Sequence, residues 1–244
     1  MSSRFKVPAK ADLSTCNSPY ETPPSTCYDH QDMTTIVVTD ADIDKEYKIF
    51  RTLLMWHSSY FAAALEPNSV LAPSGGKALK LECSHEVFDA FYCWLYIGKL
   101  KDSVVESTEC NDIYLSGFLL CKIWVFADCR GIPELGNRAI DMLHERCVAA
   151  WQTPGRIAYI YENTTVGSKL RDYLIQFHGS TRTFGSLQEG SVNQTVDFLH
   201  DMVPLVASRM AEGPLGRDAV TRWDRCQWHD HSGPGGKLRL EGRK

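Results

Sequence analysis

Ser84-His85-Glu86-Val87-Phe88-Asp89-Ala90-Phe91-Tyr92-Cys93-Trp94-Leu95-Tyr96-Ile97-Gly98-Lys99-Leu100 carries the strongest structural signal in the chain. Val87, Phe88, Phe91, Trp94 and Leu95 fall at i, i+1, i+4, i+7 and i+8, the apolar stripe of a helix packed on a core. Ser84 suits the N-cap, and Gly98 suits the stop.

Upstream, Thr35-Ile36-Val37-Val38-Thr39 is a β-branched run followed by the turn-forming acids Asp40, Asp42 and Asp44. From Lys45 to Phe50 the chain alternates, Tyr47 and Ile49 to one side and Lys48 to the other. The two runs predict a hairpin. Leu53, Leu54 and Trp56 mark a short helix. Ser58-Ser59 caps a second helix, Tyr60 to Leu65, which ends before Pro67. Residues 67–77 read as a loop and Ala78–Glu82 as another strand.

Downstream, residues 99–111 are polar. Asp112 to Cys129 is apolar nearly all round, which predicts a helix buried on most faces. Gly131-Ile132-Pro133 breaks it. Pro133 opens the next helix, where its missing N–H costs nothing, and Leu135, Ile140, Leu143 and Val148 follow. Further helices are expected from Pro154 to Tyr161, Ser168 to His178 and Asn193 to Met210, the last containing Pro204. Residues 1–32 and 212–244 are rich in Pro, Gly, Ser and charge, and they predict a disordered arm and a flexible tail.

Composition narrows the function classes. A net charge of −4 speaks against a chain-wide grip on nucleic acid, which needs clustered Lys and Arg. No apolar run is long enough to span a bilayer, and the first residues lack a secretory h-region. The nine cysteines are odd in number and form no C-x-x-C pair, as expected for reduced thiols in cytoplasm or nucleus.

Three blocks in this order resemble the BTB/POZ domain. The first is Leu53-Leu54-x-x-x-Ser58-x-Tyr60-Phe61. The second is Val87-Phe88-x-x-Phe91-x-x-Trp94-Leu95-Tyr96-x-Gly98-Lys99-Leu100, close to the family's "Leu-Tyr-Thr-Gly". The third is Val125-x-Ala127-Asp128-x-x-Gly131-Ile132-Pro133-x-Leu135-x-Asn137. The Trp94-Leu95-Tyr96 version, with Tyr159-x-Tyr161-Glu162-Asn163-Thr164, looks like the fungal type. The resemblance implies an α+β fold, a small mixed sheet flanked by helices, over residues 33–149. A C-terminal helical extension follows over 150–211. The entry to the leucine pair, Tyr47-Lys48-Ile49-Phe50-Arg51, departs from the family's pattern, and Asp32 is the nearest match to its aspartate before the first strand.

The chemistry-bearing motifs are sparse. Ser74-Gly75-Gly76-Lys77-Ala78 lacks the first glycine of a phosphate loop and its Ser/Thr. His144-Glu145 has Val148 where H-E-x-x-H needs histidine. No G-x-S-x-G elbow occurs. The expectation is a non-enzyme without a cofactor. Cys226, His229 and His231 are the one metal-like group, but they lack the second ligand pair of a structural zinc site and read as a polar tail.

The resemblance implies a protein-interaction module with protein partners: a second copy, or a cullin-type ubiquitin-ligase scaffold for which the chain would be a substrate adaptor. No membrane contact and no direct nucleic-acid contact is expected. The candidate partner-binding residues are Leu65, Glu66, Val70 and Leu71 in one segment, and Tyr96 and Lys99 at a helix end. Cullin-binding members commonly carry a hydrophobic-x-Glu element before the third strand; Val70-Leu71-Ala72-Pro73-Ser74 has no glutamate. The alternative is a transcriptional or chromatin regulator acting through a partner, since no DNA-binding motif accompanies the domain.

Overall fold

The computed structural model describes residues 21–66, 78–100, 115–182, 195–209 and 212–241. It is an α+β structure in two compact units. One draws on Ser18–Leu115, Lys122–Ala139 and Asp230–Lys244, the other on Ser116–Cys121 and Ile140–His229.

The first unit is built on a three-stranded sheet. β1 (Met33–Asp40) and β2 (Ile43–Phe50) form an antiparallel hairpin that closes on the pair Asp40↔Ile43. Ala41 and Asp42 hold φ at 48° and 68°, the positive values that a tight hairpin turn needs to match strand twist. Asp44 lies within β2, not the turn, and accepts from the Thr39 hydroxyl at 2.6 Å. β3 (Leu79–Glu82) runs parallel to β1, giving the order β2-β1-β3. Ile36, Val38, Ile49, Tyr47, Leu79 and Leu81 are buried.

Between β2 and β3 lie α1 (Arg51–His57) and α2 (Ser59–Ala64). Ser58 joins them: its Oγ accepts from Phe61 N–H at 3.0 Å and donates to the Arg130 carbonyl at 2.6 Å. One side chain therefore caps α2 and ties it to a distant segment. The helix expected from Ser84 to Gly98 is α3 (His85–Ile97), which stops where Gly98 turns left-handed at φ 69°. Its stripe packs Phe88 and Phe91 against Phe126, centroids 6.1 and 5.3 Å apart. Burying each such ring contributes about 1.5–3 kcal/mol.

α4 (Gly117–Cys129) and α5 (Pro133–Ala150) follow, and the unit boundary falls inside both. The second unit continues with α6 (Ile157–Asn163), α7 (Lys169–Thr181), α8 (Val196–Arg209, containing Pro204) and α9 (Arg217–Thr221). Ser168 caps α7 through Arg171 N–H at 3.3 Å. The buried Arg171 guanidinium turns back to the end of α6. It donates to Tyr161 O at 2.6 Å, to Thr164 Oγ1 at 2.8 Å and to Thr164 O, and lies 4.3 Å from the Tyr161 ring centroid. A charge with this many acceptors can be buried, because its lost hydration is replaced. Gly179 of α7 faces Leu205 of α8, where an added Cβ would come within 2.8 Å of Leu205 Cδ2.

The expected flexible tail is instead packed structure over most of its length. Beyond α9, a 3₁₀ turn covers Arg225–Trp228, and α10 (Lys237–Glu241) ends the described chain. Gly235 and Gly236 N–H donate to the His57 and Trp56 carbonyls at 3.2 and 3.0 Å, satisfying acceptors that α1 leaves open at its C-terminus. A Cβ at Gly236 would fall 1.6 Å from the Met55 carbonyl oxygen. The glycines that read as looseness are there for close approach. The expected disordered arm also has an ordered part. Cys27 is 1% exposed, and Asp32 accepts from the Thr52 hydroxyl at 2.5 Å and pairs with Arg51 at 3.5 Å. Residues 1–20 lie outside the described residues.

Candidate functional site

The off-core side of α3 assembles the most contact-ready surface in the sheet-bearing unit. Tyr92 and Tyr96 are four residues apart, so their rings meet at 5.0 Å between centroids. Tyr96 reaches Phe50 at 5.8 Å, and Phe50 reaches Tyr28 at 5.9 Å. Tyr92 reaches Tyr47 at 5.5 Å. Met33 is the register partner of Phe50, which puts both on one sheet face. The result is a ladder of half-buried rings edged by exposed apolar side chains, with Ile97 at 53%, Met33 at 44% and Tyr28 at 39%.

Hydrogen bonds hold the ladder rigid. The Tyr96 hydroxyl accepts from Phe50 N–H at 3.3 Å, and the Tyr92 hydroxyl lies 3.4 Å from the Lys48 carbonyl. The Tyr47 hydroxyl donates to Asp89 at 2.7 Å, and Asp89 also receives Lys45 Nζ at 2.7 Å. Burial is the main force raising the pKa of Tyr47, with Asp89 second; burial also raises that of Tyr96. Both hydroxyls stay protonated and polar at neutral pH. Rigid rings with polar tips and charged edges are the composition of binding hot spots, because little side-chain entropy is lost when they are covered.

Of the expected partner-binding residues, one touches this region. Tyr96 is a rung of the ladder, and Lys99 is exposed just beyond the helix end. Leu65 is 5% exposed, so its side chain belongs to the core, while its carbonyl accepts from Arg51. Glu66 is half-buried. Val70 and Leu71 lie outside the described residues. Sequence reasoning missed Phe50, Tyr92, Tyr28 and Met33. The i, i+4 pair Tyr92 and Tyr96, both off the apolar stripe of α3, was the available signal.

Of the metal-like residues Cys226, His229 and His231, one ligand atom each of the first two lies within 4.8 Å of the other. Their side chains grade from half-buried through buried to exposed.

No family model matches the chain, and no curated protein matches it. Among the described residues no helix is long and apolar enough to cross a membrane.

Proposed function

We propose that this chain is a protein-interaction protein of BTB/POZ type that associates through the aromatic face of β2 and α3. One observation carries the reading: the ladder Tyr28–Phe50–Tyr96–Tyr92, held rigid from behind and edged by Ile97 and Met33. It is supported by the element order, in which an antiparallel hairpin leads through two short helices to a strand parallel to β1. The first partner to test is a second copy, since an aromatic patch with its own charged border can be self-complementary.

Ile97→Asp is the informative variant, because Ile97 is exposed and its loss leaves the core intact. Sedimentation velocity over a concentration series should show self-association of the wild type and at least a roughly tenfold weaker association of Ile97→Asp, about 1.4 kcal/mol. A wild-type chain monomeric throughout, which also captures the same proteins as Ile97→Asp, would overturn the reading. A cullin-type scaffold is the second partner to test. Retention of a cullin by wild type but not by Leu71→Asp supports the adaptor role; equal or no retention removes it.

A further inference from the structure

We infer that the C-terminal end of α1, with Gly131 and Asn137, is a slot for an extended Pro-Gly-Gly peptide, filled by the chain's own residues 230–241 and open in exchange to the same segment of a second copy. The slot lies wholly within the sheet-bearing unit, and nothing in the aromatic-face reading above requires it.

The receptor side begins with an uncapped helix. α1 ends at Ser58, which is extended at φ −128° and ψ 123°. An extended residue there cannot turn the chain back onto the last carbonyls, as a left-handed glycine would. The Trp56 and His57 carbonyls are thus presented to another segment, and buried carbonyls need donors. Asn137 is a second station. Its side-chain amide accepts from Asp230 N–H and donates to the Asp230 carbonyl, both at 2.8 Å. Such a two-bond pairing recognises peptide backbone whatever the side chain.

The ligand side answers with its main chain. Gly235 N–H donates to the His57 carbonyl at 3.2 Å, and Gly236 N–H to the Trp56 carbonyl at 3.0 Å. An added Cβ at Gly235 would run into the Gly131 carbonyl oxygen, and one at Gly236 into the Met55 carbonyl oxygen. Neither glycine takes a positive φ, so close approach and not backbone conformation is what demands glycine. Pro234 is buried and fixes its own φ, which leaves fewer conformations to lose on seating. Lys237 Nζ pairs with Glu21 at 2.5 Å, while Leu238 stays exposed. Main-chain bonds supply affinity and steric exclusion supplies selectivity, as in other modes of peptide capture. The chain crosses from the helical unit into this one between His229 and Asp230. An identical strap from a second copy can therefore replace it, the low-cost route to association by swapping.

The probe is a fluorescent peptide of residues 230–244, and the receptor is the full-length Gly236→Val chain, whose own segment is shut out of the slot. Anisotropy should show saturable binding of the wild-type peptide. The peptide carrying Gly236→Val should bind at least about 100-fold more weakly, because its added side chain meets backbone. Asn137→Ala added to the receptor should weaken the wild-type peptide about tenfold. A receptor folded by circular dichroism that ignores the wild-type peptide, or binds both peptides equally, overturns the slot. A second arrangement keeps the wild-type slot: a protease site is inserted between His231 and Ser232 of the full chain, which is cut after folding. The cut piece should stay bound through gel filtration and be exchanged by the wild-type peptide but not by the Gly236→Val peptide. Loss of the piece from a folded chain, or equal exchange by both peptides, also overturns the slot. Exchange between copies is read with the aromatic face disabled. Two differently tagged full-length Ile97→Asp chains, refolded together, should co-purify, and should not when both also carry Gly236→Val. No co-purification, or co-purification that Gly236→Val leaves unchanged, overturns the exchange.

Discussion

The two units solve burial differently. In the sheet-bearing unit the fully buried positions are filled by Ile36, Ile49, Leu53, Phe61, Phe88 and Phe91. In the helical unit Arg171, Asp141, Arg225, His144, His178 and His229 are buried beside Tyr173, Phe177 and Trp228. The first core is held mainly by removal of apolar surface from water, which is non-directional and insensitive to pH. The second depends on satisfied polar partners, so its stability carries geometry and protonation as added conditions. Among the described residues the first unit buries fewer ionisable groups, chiefly the pair His57 and Glu134, 3.2 Å apart, together with the neutral Ser58 and Asn137.

The largest effects should come from the two kinds of core. Phe91→Ala removes a fully buried ring that touches Phe61, Phe88, Trp94 and Phe126. It should cost about 3–5 kcal/mol, read by urea unfolding. Arg225→Met should cost a similar amount, about 3–5 kcal/mol, because it strips a guanidinium from the buried Asp141 carboxylate. A double replacement, Arg225→Met with Asp141→Leu, should recover much of that loss, whereas no single partner change rescues Phe91→Ala. Equal costs for the single and double charge replacements would break the contrast.

Acid should separate the units next. Burial pushes the His144 imidazole down from 6.5 to about 4, with Arg225 adding to it, and burial pushes His178 down to about 4 as well. Both are neutral in the folded chain while the unfolded chain protonates at its ordinary value. The unfolded state therefore binds more protons between about pH 6.5 and 4. Stability is full above that window and falls as pH drops through it, by about 1–3 kcal/mol per histidine. Unfolding free energies at a series of pH values should show this slope, and His178→Gln should reduce it. An unchanged slope would remove His178 from the account.

Smaller effects sharpen the picture in the sheet unit. Ser58→Ala should cost about 1–2 kcal/mol by thermal unfolding, since a helix cap and a link to Arg130 are lost together. Lys45→Ala should change stability by less than about 1 kcal/mol, because Lys45 pairs with Asp89 at a solvent-exposed edge.

Legibility followed the same division. The hairpin, α1, α2 and α3 were readable to within a few residues, because Thr35–Thr39, Ser58 and Gly98 act on their own neighbours. The position of Tyr96 and Lys99 on either side of the helix stop was readable from Gly98. Leu65 reads as a partner-binding residue because it stands beside Glu66 before the third strand; its burial depends on what packs there. The stretch from Arg217 to Glu241 was read as loose because it is polar and glycine-rich. Polar composition says nothing of partners such as Asp141 for His229, 88 positions earlier in the chain.

The amino-acid sequence by itself determined the strands, the capped helices and the apolar stripe that places Phe88 and Phe91 inside. Those outcomes depend on periodicity and on caps acting within a turn or two. Only the tertiary structure decided that Gly235 and Gly236 press against α1, that Tyr28, Phe50, Tyr92 and Tyr96 join into one surface, and that Arg225 and His229 are buried on Asp141. Each of these depends on groups brought together from far apart in the chain, where the gain from burial or pairing is set by the partner and cannot be read from the residue alone.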